Sequence, residues 1–169
     1  MESKKKLSSI EIFSKEIPKP CDLINNRKPP NPESVQYLKK YQPKAMIRSS
    51  ALKGFPGITD GTYLYVVLEK NPGVIRYVDK KLEKQQGVKH PSLPQAISGK
   101  TGGVLIAGEF VIKGKKLKIN NNSGHYSPDI KCMKYLKWLM GNYFKLKFIK
   151  ETTRKLKDRN SNHLFYELS

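Results

Sequence analysis

Residues Thr62–Tyr77 read TYLYVVLEKNPGVIRY. Tyr63–Leu68 is aromatic, β-branched and uncharged, the composition of a strand. Asn71-Pro72-Gly73 is turn chemistry, because proline pre-sets φ and glycine accepts positive φ. Val74–Val78 is the returning strand, so the stretch predicts an antiparallel hairpin. A second hairpin follows outward in the sequence. Val104–Ile106 and Gly108–Ile112 form one strand, Lys113-Gly114-Lys115 the turn, and Leu117–Asn121 the partner, with Leu117 and Ile119 on one face.

Beyond it, Ser127-Pro128-Asp129 predicts a helix start. Serine is a good N-cap, proline suits the first helical position, and an acid complements the dipole. This helix is expected to reach about Tyr143, with an interruption at Gly141. Cys132, Leu136, Leu139 and Tyr143 form its apolar stripe, flanked by Met133, Tyr135 and Met140. Lys131, Lys134 and Lys137 lie on another side. Phe144–Thr152 and Leu164–Leu168 read as two more strands around the polar turn Lys157–Asn162, and Glu33–Tyr41 as a short helix. Gln42–Thr59, Asp79–Lys89 and residues 90–103 read as irregular. The fold class expected is α+β: a mostly antiparallel, curved sheet with one main helix. Residues 1–32, with Lys4–Lys6 and Pro18, Pro20, Pro29, Pro30 and Pro32, read as an irregular extension. Residues 33–169 then make a single domain, with its core motif region at 62–143.

The chain has 169 residues, 37% of them apolar, and a net charge of +19. No apolar run reaches membrane-spanning length. The start, MESKKKLSSIEIF, lacks the apolar core of a signal peptide. The expectation is therefore a cytoplasmic protein, or one delivered into a host cell by an apparatus that reads other signals. The excess charge is spread evenly: +6 over 1–60, +7 over 61–128 and +6 over 129–169, with five arginines in all. Even spread and lysine dominance do not favour a dedicated nucleic-acid binder, which concentrates charge and uses arginine to read bases. Cys21 and Cys132 are far apart and outside any metal-ligand spacing. Two free thiols in a reducing compartment are expected, with no metal site.

Three places could carry chemistry. Asn120–Pro128, NNNSGHYSP, joins a strand to the expected helix and gathers amides, hydroxyls, an imidazole and a phenol. At a helix N-terminus such groups would favour an anion. His125 and Tyr126 are the candidate catalytic groups there, and Asn122, Ser123, Gly124 and Ser127 the ligand-binding ones. His90-Pro91-Ser92 lies in a loop before a strand and supplies a second imidazole and hydroxyl. Glu109 is an acid in an otherwise apolar strand, where alternation allows either a solvent-facing or a buried position. Ser92, His125 and Glu109 are the residue types of a nucleophile, a base and an orienter. The competing reading is structural: Gly124 turns, Ser127 caps, and the histidines hydrogen-bond their own loops.

The stretches TYLYVVLEKNPGVIRY, VKHPSLPQAI and VLIAGEFVIKGKKLKINNNSGHYSP together resemble the domain shared by plant IQ-motif-containing calmodulin-binding proteins and some bacterial effector- or toxin-like proteins. The matching positions are Tyr65 to Tyr77, then His90, Ser92 and Leu93, then Ala107, Gly108, Gly114 and Ser123 to Pro128. Pro91 stands where the family has the first serine after its histidine, and Ser127 where an arginine follows the tyrosine. No IQ motif is present, so calmodulin binding does not carry over.

The expectation is thus a bacterial effector- or toxin-type domain with a His/Ser/Tyr pocket. It would be a group-transfer or hydrolytic enzyme on a small or phosphate-bearing ligand, or a module that binds a host protein. The cofactor is unknown. One alternative is a non-catalytic module in which the basic helix 129–143, with Trp138, docks an acidic partner or a membrane surface. The other is nucleic-acid binding.

Overall fold

A computed structural model describes residues 29–48, 51, 54–55, 57–124, 126–128, 130–155 and 162–169. Its elements run α1 (Pro32–Lys40), β1 (Lys44–Met46), β2 (Gly61–Leu68), β3 (Ile75–Asp79), α2 (Leu82–Gln86), α3 (Ser92–Ser98), β4 (Val104–Lys113), β5 (Lys116–Asn120), α4 (Met133–Trp138), β6 (Phe148–Lys155) and β7 (Asn162–Leu168). The seven strands form one sheet in the order β1-β3-β2-β4-β5-β7-β6, every neighbour antiparallel. The α+β class with a mostly antiparallel sheet is therefore the observed one.

Both expected hairpins form. Tyr65 pairs with Tyr77 across β2 and β3, and Phe110 with Ile119 across β4 and β5. In β2 every residue from Tyr63 to Leu68 is buried, the mark of a central strand covered on both faces. β5 instead alternates, with Lys116 and Lys118 exposed and Leu117 and Ile119 buried, so there one face meets solvent. Tyr63, Tyr77 and Phe110 pack ring on ring on one side, with centroids 5.0 to 5.4 Å apart. The Tyr166 hydroxyl of β7 donates to the Met133 carbonyl at 3.5 Å, which seats α4 against the outer part of the sheet.

Four expectations are corrected. Residues 90–103 contain α3, because Pro91 and Pro94 fall before and within its first turn, where no intrahelical amide is needed. The loop after Asp79 holds α2, closed by Gly87 at φ 64°. The segment 42–59 holds the edge strand β1. The expected helix from Ser127 begins only at Ile130, as a 3-10 turn, becomes α4, and ends in a π turn over Leu139–Tyr143. Pro128 disfavours the helical region for the residue before it, and Ser127 takes φ 41° instead. Its hydroxyl donates to the Gly124 carbonyl at 3.3 Å, so it caps no helix. The helical run that follows the loop therefore starts at Ile130 and not at Ser127.

The cysteine expectation also changes. Cys132 is buried and disulfide-bonded, not a free thiol. Distance along the chain does not forbid such a bond, since loop-closure entropy grows only logarithmically with length. Cys21, residues 1–28, the Lys157–Asn162 turn up to residue 161, His125 and Asp129 lie outside the described residues. Among the described residues no helix is long and apolar enough to cross a membrane.

Candidate functional site

The joint between β4 and the turn after β5 starts with a glycine. Gly108 sits opposite Tyr65 in the β2–β4 register. A methyl group built on Gly108 would fall inside the backbone carbonyl of Asn120, so glycine alone lets the end of β5 fold across β4. The Tyr65 hydroxyl closes this crossing by donating to the Asn120 carbonyl at 2.6 Å.

From there Asn120 organises the turn. Its side-chain oxygen accepts from the Glu109 amide at 2.9 Å and from the Asn122 amide at 2.8 Å. Asn121 ties the turn at two further points: its amide donates to the Pro128 carbonyl at 3.0 Å, and its oxygen accepts from the Leu164 amide of β7 at 3.0 Å. The Ser127 amide donates to the Ser123 carbonyl at 2.7 Å, and the Tyr126 amide to the Ser123 hydroxyl at 3.3 Å. The Tyr126 hydroxyl leaves the turn to donate to Thr101 at 2.6 Å.

Glu109 lies beneath this turn, 7% exposed, on the face of β4 opposite Gly108. One carboxylate oxygen accepts from the Asn122 side chain at 2.7 Å, and the other meets the Lys80 ammonium at 2.7 Å. That hydrogen bond is the main reason the Lys80 pKa is raised, with the charges of Glu109 and Glu83 adding to it and partial burial opposing. Of the two positions strand alternation allowed for Glu109, the structure adopts the buried one.

The histidine box reaches the same strand. His90 is 6% exposed, and its Nε2 lies 2.7 Å from the Gly108 carbonyl. A carbonyl only accepts, so Nε2 carries the proton there. His90 and Asn122 thus hold consecutive residues of β4, one by its backbone and one by its carboxylate.

Ser92 is fully buried at the start of α3. The Ser34 hydroxyl spends its single proton on the Asn31 carbonyl at 2.6 Å, so in the 2.9 Å pair with Ser92 it is Ser92 that donates. Ser92 also accepts from the Lys89 amide at 3.1 Å. Its hydroxyl clamps α3 to α1 and has no proton left to give a base. In this arrangement Ser92 and Tyr126 are positioning residues, and Glu109 is the polar group that the turn encloses. Among the described residues no cluster of three or more His, Cys, Asp or Glu side chains gathers as a metal site would need.

Asn120 and Asn121 belong to the Asn120–Pro128 motif without a role of their own in the sequence, and Lys80 enters only through its pairing with Glu109. The Asn-Asn-Asn run was visible as turn chemistry, but which amide serves which strand was not. Trp138 is 9% exposed and stacked on Tyr143 at 6.2 Å, so it packs inward and does not stand out on the basic side of α4.

Burial raises several phenol pKa values above the ordinary 10.0: Tyr65, Tyr77, Tyr126 and Tyr135, with Tyr166 raised to about 12. Neighbouring phenols add to this at Tyr65, Tyr77 and Tyr135, and Glu151 at Tyr166. A raised folded-state value contributes stability that is whole below the unfolded value and is lost as pH climbs through the folded one. The expected loss therefore begins above about pH 10. Phenolate absorbance should rise at higher pH in the native chain than in the urea-unfolded chain. Superimposable titrations would show that the hydroxyls are not buried.

Comparison with family models, with curated proteins and with solved structures finds no match to this chain.

Proposed function

We propose that this domain is a group-transfer or hydrolytic enzyme of the bacterial effector or toxin type, acting on a small ligand with Glu109 as its acid/base. The observation that carries the enzymatic part is the Glu109 carboxylate, nine-tenths buried and held at 2.7 Å by both Lys80 and Asn122. Burying a carboxylate is costly unless it is paired, and a chain that needs only a turn can build one without it. The effector-type part rests on the resemblance of the His90 and Ser123–Pro128 boxes.

In this reading Asn122, Gly124 and Ser127 face the ligand, and the buried Ser123 holds the turn that presents them. Asn122 fixes one oxygen of Glu109. Lys80, whose side chain is 44% exposed, can swing outward to free the other for a proton from water or a ligand hydroxyl. His90 fixes the strand that carries Glu109. His125 is the second acid/base, on sequence grounds.

The test is turnover of chromogenic phosphate and acyl esters by the wild type, Glu109→Gln and His125→Ala. Loss of about a hundredfold or more is expected in each variant, with the far-ultraviolet circular dichroism unchanged. Equal turnover in wild type and Glu109→Gln would remove Glu109 from the chemistry, and no turnover of any ester would remove the hydrolytic form of the proposal.

A further inference from the structure

The sheet ends on two unlike edges. β1 has 3 residues, and so short an edge offers little backbone to another strand. β6 has 8 residues, and among the described residues β7 is its one neighbour. The outer side of β6 therefore presents a row of amides and carbonyls with no strand to pair them. The register against β7 slips between Phe148 and Lys150, which leaves Ile149 outside the pairing and 48% exposed. From Lys150 to Lys155 the register is unbroken.

A cleft of about 530 Å³ lies beside this edge, between α4 with its π turn and the start of β6. Trp138, Leu146 and Phe148 supply its apolar wall, and Lys134, Lys137 and Asn142 its polar one. No acid is part of the lining among the described residues. Lys137 spans cleft and edge: its ammonium is 3.7 Å from Glu151 and 5.7 Å from the centre of the Phe148 ring.

The charge around the edge is one-sided. Lys134, Lys145, Lys147 and Lys150 are exposed and form no ion pair among the described residues. With Lys137 they make five lysines, against the two acids Glu151 and Glu167, an excess of three positive charges. A second copy pairing through β6 would set these lysines against their own kind, which is repulsive. A nucleic acid would meet the lysines but leave the strand edge unpaired. An extended acidic peptide meets both, because its backbone fills the open ladder while its carboxylates face the lysines.

We infer that β6 is a docking edge for an extended acidic segment of another protein, which adds to the sheet as an eighth strand. One apolar side chain of that segment enters the cleft beside Phe148 and Leu146. The docking does not depend on Glu109, which lies three strands away on β4.

The probe is a fluorescein-labelled peptide of alternating aspartate and leucine, about nine residues long so that it spans β6. It is titrated into the full chain by anisotropy. It is expected to bind at least about tenfold more tightly than the same peptide interrupted by a central proline, which removes a donor from the ladder. Lys134→Glu combined with Lys137→Glu should weaken it by about tenfold, since rim charges now repel it. Lys81→Glu combined with Lys84→Glu makes the same charge change on α2 and should leave binding unchanged. All four side chains are exposed, and unchanged thermal midpoints will show that the variants fold. Bound peptide should slow hydrogen exchange along Lys150–Lys155 and not in the β2–β3 hairpin. The inference is overturned if the two peptides bind alike, if both lysine pairs weaken binding equally, or if the slowed amides lie elsewhere. It also falls if the wild type is a dimer that Ile149→Glu breaks, which gives the edge to a second copy, or if an oligothymidylate protects the same amides.

Discussion

Gly108→Ala is expected to destabilise the domain by about 3 kcal/mol or more, lowering its thermal midpoint by roughly 10 °C. The added methyl group would overlap the Asn120 backbone carbonyl and press on the Tyr65 ring. A side chain could rotate away, but the end of a paired strand cannot. Relief requires β5 to lift from β4. That lift would break the Tyr65–Asn120 bond and the bond from the Glu109 amide to the Asn120 side chain, and it would disturb the carbonyl on which His90 rests. Gly102→Ala is the control, because a methyl there meets open space and its φ is ordinary. It should shift stability by less than about 0.5 kcal/mol. If both variants melt at the same temperature, the close crossing at Gly108 does not exist.

Asn120→Ala comes second, at about 2 to 5 kcal/mol. One oxygen serves two amides, those of Glu109 and Asn122, and its removal leaves both without that partner. Each such orphan costs about 1–3 kcal/mol. The variant should also expose these two amides to hydrogen exchange while the β2–β3 hairpin stays protected. Asn122→Ala removes one side-chain bond, to Glu109, and should cost less. A larger loss from Asn122→Ala than from Asn120→Ala would mean that the turn is organised by Glu109 and not by Asn120. Because the Asn120 oxygen sets the register between Glu109 and Asn122, its loss should also abolish any turnover that depends on Glu109.

The strands were legible because strand chemistry is local. The Tyr63–Leu68 run, the Asn71-Pro72-Gly73 turn and the alternation of Leu117 and Ile119 each fix a pairing within a few residues. The helix α3 was illegible for an equally local reason. Its prolines read as breakers, and only their place in the first turn makes them harmless. At Ser127-Pro128 the pattern of a helix cap was present, but the Pro128 carbonyl went to Asn121 and the Ser127 amide to Ser123. A cap motif states a preference, and the closing of a turn outweighed it.

The sequence by itself determined the α+β class, the two central hairpins and the set of polar residues in the Ser123–Pro128 turn. Period-two alternation encodes which residues share a face, and turn residues encode where the chain reverses. Only the tertiary structure decided that His90 and Asn122 meet β4 at adjacent residues, that Glu109 is buried and paired with Lys80, and that Ser92 is a clamp between α1 and α3. Those contacts join residues far apart in the chain. They depend on which element covers each face and on a missing side chain at Gly108, neither of which is written in any local pattern.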